Sequence, residues 1–189
     1  MGVPKVHLAL LVHTMTALCI SVIAEPVDYK ESAMKGKPEV LQVLQGALTD
    51  ELGAVHEYIL HAEMCESWGY KKLAGATTKR AIEEMKHAEK LMSHMLFLEG
   101  APDVQTLPKV HIGKDVEEQF TNNLKDELAA IASYNQGIAI CTKAGDNASA
   151  DLMRGILHDE ERHADYLETQ LSLIKHLGLA NYLAQSLTE

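Results

Sequence analysis

Residues 82–91 read IEEMKHAEKL, and within them Glu84 and His87 stand three positions apart in a helical stretch. Residues 157–167, LHDEERHADYL, repeat that spacing with Glu160 and His163. One Glu-x-x-His is a weak signal, because most such pairs are solvated surface residues. The second copy, however, arrives with matched surroundings. Glu51 precedes Glu84 by 33 residues, and Glu127 precedes Glu160 by the same 33. Tyr58 follows Glu51 by seven positions, and Tyr134 follows Glu127 by seven. Gly69 and Gly145 each lie 18 residues beyond the first glutamate of their half. The chain is a two-fold repeat in which polar positions recur together with the apolar ones.

The elements follow from the same stretch outward. Val40, Leu41, Leu44, Leu48, Leu52, Val55 and Ile59 keep helical spacing from Pro38 to Trp68, with Pro38 suited to a first turn. A second helix is predicted from about Lys72 to Leu98, stopped by Gly100 and Pro102. The stretch GAPDVQTLPKVHIGKD carries two prolines and two glycines and is too broken for a helix. A third helix is predicted from about Val116 to Ala144 and a fourth from about Ala148 to Leu177, with a short helical tail after Gly178. Tight turns after the first and third helices, with one long middle crossover, describe an all-α four-helix bundle with a short fifth C-terminal helix. Asn147-Ala148-Ser149 fits a glycosylation sequon, but its place at a helix start reads as capping chemistry.

Helix geometry then sets the polar residues against one another. About 27 Å of rise separates Glu51 from its turn, and about 22 Å leads back to Glu84. Each hairpin therefore brings its lone glutamate level with its Glu-x-x-His pair, whose two side chains share a helix face. Packed along those faces, Glu51, Glu84, Glu127, Glu160, His87 and His163 converge at mid-height. Leu48, Leu52, Ala81, Ala88 and Leu91 are their apolar neighbours. Four buried carboxylates without counter-ions would repel one another and lose their hydration. Two divalent metals neutralise them, and this donor set is that of the di-iron and di-manganese carboxylate bundles. Tyr58 and Tyr134 fit two roles, orienting the ligands or packing in the core.

Composition narrows the remaining classes. The 189 residues hold enough apolar chain for one substantial domain, at 47% hydrophobic and 5% aromatic. A net charge of −10 argues against nucleic acid as partner and suits cations or solubility. Cys19, Cys65 and Cys141 form no CxxC pair and fit a reduced, cytoplasmic setting. Residues 1–33 stand apart as a leader or upstream extension. Lys5, the apolar run from Leu8 to Ala24 and the small Ala24 have the form of a secretory signal peptide, which would mean export. His13, Thr14, Thr16 and Ser21 interrupt the run and make it a poor membrane span. The alternatives are translation starting at Met34 or an N-terminal anchor. The domain itself occupies residues 34–189.

From Met34 onward the chain resembles bacterioferritin, the haem-containing branch of the ferritins. The resemblance is carried by MKGKPEVL, DELGAVHEYILHA, WGYKKLA, EEMKHAEKLMSHMLFLEGAP, IGKDVEEQF and the tail GLANYLAQSL. It implies a ferritin-like bundle that assembles from two-fold dimers into a 24-subunit shell, stores iron as a mineral and oxidises Fe(II) to Fe(III). It implies two iron ions per subunit held by Glu51, Glu84, His87, Glu127, Glu160 and His163, with Glu84 and Glu160 bridging. Tyr58 matches the tyrosine beside that centre. Met85 matches the methionine that ligates haem b, one haem being shared between two subunits. One residue on from Glu84 is a rotation of about 100°, which takes Met85 off the metal-facing line. The implied partners are further copies of the chain, ferrous iron, oxygen or hydrogen peroxide, and a small electron-donor protein, with neither nucleic acid nor membrane. Lys79 and Glu83 stand where family members with an extra iron on the inner wall use histidine and aspartate, which argues against that iron here. The alternative functions are a peroxide-consuming enzyme of the rubrerythrin or manganese-catalase type and a haem-binding shell with an idle centre. The absence of a cysteine-rich iron domain argues against a rubrerythrin.

Overall fold

The computed structural model describes residues 35–187: α1 (Pro38–Ser67), α2 (Lys71–Phe97), α3 (Val116–Ala144), α4 (Asn147–Leu177) and the short α5 (Leu179–Ala184). These residues belong to the unit Met34–Glu189. The readings of residues 1–33, Cys19 among them, lie outside the described residues. All four long helices fall within a residue or two of the predicted spans, and α1 opens with Pro38 at its first position.

The two tight reversals are built alike. Gly69 (φ +86) and Gly145 (φ +76) take the left-handed conformation that costs glycine least. Just beyond them, the Tyr70 N–H donates to the Cys65 carbonyl, and the Asp146 N–H donates to that of Cys141, both at 2.9 Å. Asp146 then caps α4 by accepting from the Ser149 N–H at 3.0 Å. Capping chemistry is present at the sequon as expected, but Asp146 supplies it, with Asn147 already the first helical residue.

The helix pairing follows from the contacts. Tyr58 meets Glu127 and Tyr134 meets Glu51, so α3 runs antiparallel to α1. His87 meets Asp159 and His94 meets Ser149, so α4 runs antiparallel to α2. Two apolar clusters fill opposite ends of the bundle. One contains Leu44, Leu48, Leu91, Met95, Met153 and Ile156, and the other contains Leu73, Val116, Phe120, Leu167, Ile174 and Tyr182 of α5. Each buried leucine or isoleucine contributes about 1.5–3 kcal/mol. The polar layer lies between the clusters, clamped by apolar packing above and below.

The crossover from Leu98 to Asp115 runs along α1. It is tied down at Gln45, Gly53, Glu57 and His61, whose directions wind through about 160° around that helix. Gln45 exchanges two hydrogen bonds with the Asp103 backbone, at 2.7 and 2.8 Å. Gly53 gives way to Pro108, whose Cγ a Cβ there would approach to 2.3 Å. Glu57 accepts from the His111 N–H at 2.8 Å, and the buried His61 Nε2 accepts from the Gly113 N–H at 3.0 Å. From Gln45 to His61 this spans about 24 Å of helix, so the connection does travel much of the bundle's length.

Candidate metal centre

α1 contributes Glu51, α3 contributes Glu127, and α2 and α4 each contribute a Glu-x-x-His pair. All six are at most 5% exposed. The two histidine rings stack with centroids 6.0 Å apart, and the carboxylates gather around their Nδ1 atoms. His87 Nδ1 lies 3.0 Å from Glu84 Oε2, 3.1 Å from Glu160 Oε1 and 3.4 Å from Glu51 Oε2. His163 Nδ1 lies 3.1 Å from Glu84 Oε1, 3.2 Å from Glu160 Oε2 and 3.6 Å from Glu127 Oε2. Glu84 and Glu160 thus each turn one oxygen to one imidazole and the other oxygen to the second.

These close approaches are poorly aligned as hydrogen bonds. Both Glu84 oxygens, Glu160 Oε1 and both Nδ1 atoms are buried with no hydrogen-bond partner. Buried polar atoms are rarely left so, and a cluster of them aimed at common points has the form of a donor set for cations. The ligand chemistry fits: carboxylate oxygens with one imidazole per point suit iron or manganese. Burial pushes the Glu84 carboxyl up to about 8, with the charges of Glu127 and Glu51 adding to the rise and His87 opposing it. Glu127 is driven well above the usual carboxylate range by burial and by Glu160. Burial alone would lower His87, but the carboxylates of Glu160, Glu51 and Glu84 crowded around it outweigh burial and raise the imidazole to about 12. Protons thus supply the positive charge that metals would otherwise bring.

The comparisons with known proteins bear on this geometry. Residues 41–177 match the ferritin-like domain. A bacterioferritin of Brucella melitensis is 45% identical over 149 residues, covering 79% of this chain and 92% of the relative. The Streptomyces coelicolor bacterioferritin is 43% identical over 151 residues (80% and 90%), and that of Mycobacterium leprae 41% over 152 residues (80% and 96%). The chain belongs to the bacterioferritin family.

Around the six residues, the structure adds partners that reach across the repeat. The Tyr58 hydroxyl donates to Glu127 Oε1, and the Tyr134 hydroxyl donates to Glu51 Oε1. The tyrosines are buried and hydrogen-bonded at once, so both of their expected roles hold together. Behind the imidazoles, His87 Nε2 meets Asp159 Oδ2 at 3.1 Å and His163 Nε2 faces Glu83 Oε2 at 3.4 Å. The hydrogen bond to Asp159 favours a hydrogen on His87 Nε2 and leaves its Nδ1 for a cation, whereas His163 Nε2 is buried without a hydrogen-bond partner. Sequence reasoning did not assign Glu83 and Asp159 this place. The available signal was that each immediately precedes the glutamate of its Glu-x-x-His pair. Glu83 also pairs with Arg80 at 2.9 Å and Lys79 at 3.8 Å.

A cavity of about 180 Å³ opens between α1 and α3 beneath the crossover. Glu51, Glu84, Glu127 and Glu160 line its floor. Met85, the residue after Glu84, is 44% exposed on α2, with Ile82 43% exposed three positions away. Among the described residues, no helix is long and apolar enough to cross a membrane.

Proposed function

We propose that this chain is a cytoplasmic iron-storage ferroxidase. The supporting observation is the double-facing geometry of Glu84 and Glu160, which suits two neighbouring cation positions. One position takes Glu51, Glu84, Glu160 and His87, and the other takes Glu127, Glu84, Glu160 and His163. Ferrous iron is the substrate. Two ferrous ions each give up one electron, and dioxygen takes the pair with two protons to become hydrogen peroxide. Hydrogen peroxide in place of dioxygen takes the pair with two protons to become water. Two bridging carboxylates hold the ions about 3.5–4 Å apart, close enough for paired delivery. Tyr58 and Tyr134 fix the terminal carboxylates, Asp159 holds the His87 ring, and Glu83 faces the His163 ring. The ferric product then passes to a mineral inside a 24-subunit shell.

The Met85 face fits one half of a haem site. A thioether is an established haem-iron ligand, and here it stands exposed beside an exposed isoleucine, where the same face of a second subunit could complete the pair. Haem bound between two such methionines would relay electrons from a small electron-donor protein for reductive iron release.

The reading is tested by adding ferrous iron under air to purified protein and following ferric absorbance, particle mass and the haem band. A very large particle with rapid ferric growth is expected. Glu84→Ala should abolish rapid oxidation and leave assembly intact. Unchanged oxidation in that variant would sink the assignment. A small dimer that consumes peroxide without mineralising would replace it with the peroxide-consuming enzyme.

A further inference from the structure

At the rim of the cavity above the six-residue centre lies a separate set of donors. Glu57 on α1, His111 on the crossover and Asp126 on α3 each offer an atom within 4.8 Å of the others. Donors about 2.0–2.2 Å from one ion are themselves about 3–4.4 Å apart, so small rotamer changes close this set around a cation.

The trio is held ready. Glu57 is only 5% exposed, and its Oε2 accepts from the His111 N–H at 2.8 Å. The Asn123 amide, with its nitrogen turned toward Glu57, donates to Oε1 at 2.9 Å. Asn122 donates to the His111 carbonyl at 3.0 Å, so the crossover backbone is gripped on both sides of that residue. The ring is left free to face Asp126, whose Oδ1 lies 3.5 Å from Nδ1. A surface His–Asp pair would not by itself require a buried carboxylate beside it. Glu57 and Asp126 line the same cavity whose floor is Glu51, Glu84, Glu127 and Glu160. That floor carries buried oxygens of Glu84 and Glu160 without hydrogen-bond partners, so the cavity joins the trio to the donors of the six-residue centre.

We propose that Glu57, His111 and Asp126 form a third divalent-cation site, an outer station that captures a first-row ion from solvent before it passes inward. Two carboxylates and one imidazole suit ferrous iron, manganese or zinc, and the open side toward solvent leaves room for bound water. An ion there is partly hydrated and more weakly held than one on the floor, as transit requires. The idea draws its purpose from the ferroxidase reading, but the binding chemistry stands without it.

Anaerobic equilibrium dialysis of the metal-stripped full chain against cobalt(II) tests the site, with cobalt–imidazole absorption as a second readout. The wild type should bind one more ion per subunit than a His111→Ala/Asp126→Asn double variant. Both substitutions fall on partly exposed side chains, and circular dichroism verifies the fold. Glu84→Ala, which damages the floor, should retain an outer ion that disappears when the double substitution is added. In the oxidation assay at limiting iron, the double variant should start about tenfold or more slowly, while its final iron uptake at the centre is unchanged. A double variant that binds as much cobalt as the wild type overturns the proposal. So does a Glu84→Ala protein whose residual cobalt survives the double substitution. Failure of the wild type to oxidise iron would count against the ferroxidase reading alone, because the cobalt result is independent of it.

Discussion

Loading the metal centre should expel protons, and the structure says roughly how many. With both imidazoles neutral and all four carboxylates ionised, the set carries four negative charges, which two divalent ions cancel. Without metal, protons take that role. At pH 7 His87, raised to about 12, holds one, and Glu84, raised to about 8, holds most of another. Burial and Glu160 push Glu127 up in the same direction. Two divalent ions should therefore displace about two protons or more per subunit near neutrality. Glu84 has lost most of its proton by pH 9, so the release should fall by about one there. In the other direction, each displaced proton weakens binding about tenfold per unit of falling pH near neutrality. The assay is an anaerobic ferrous titration in weak buffer, with a pH indicator reading released protons. Glu84→Gln, which carries no titratable proton there, should release about one fewer. Proton release near zero, or release that does not change between pH 7 and 9, would refute this charge balance.

Three further outcomes are expected. Asp159→Asn removes the carboxylate behind His87, and oxidation should slow about 10–100-fold in stopped-flow measurements while assembly is retained. Gly53→Ala drives a methyl into the Pro108 ring, which cannot swing aside. It should cost about 1–3 kcal/mol, read as a lower denaturation midpoint and faster proteolysis within the crossover. Cys65 is buried, and that burial raises its thiol to about 11. Peptide mapping after alkylation at pH 8 should find it unmodified in folded protein and modified once the protein is denatured.

Much of this was readable before any coordinates. The Glu-x-x-His pairs and their upstream glutamates fixed both helix faces, because spacing along a helix converts directly into direction and height. Gly69 and Gly145 marked the reversals, since a positive φ leaves few alternatives. The parts that were not readable depend on contacts between elements far apart in the chain. Glu83 and Asp159 look like ordinary solvated helix residues until α2 and α4 are set side by side. The Glu57–His111–Asp126 trio draws one residue each from α1, the crossover and α3, with no spacing rule to link them. Asp146 took the cap from Asn147 because which residue precedes the first turn is a matter of a single position, the least certain quantity in reading a helix end.

The reciprocal contacts at the centre have a consequence for how this protein can fail. Tyr58 belongs to the first hairpin but holds the second hairpin's Glu127, and Tyr134 returns the arrangement to Glu51. His87 and His163 are likewise backed by acids from the opposite hairpin. Neither half carries a self-sufficient ligand set, so the centre exists only while the halves are in register. A slip of the α1–α3 or α2–α4 seam, even one caused by a distant packing defect, would unmake both cation positions together. On the ferroxidase reading, iron uptake would be a gauge of fold integrity: a subunit whose halves had come apart could keep its helices and still lose the centre.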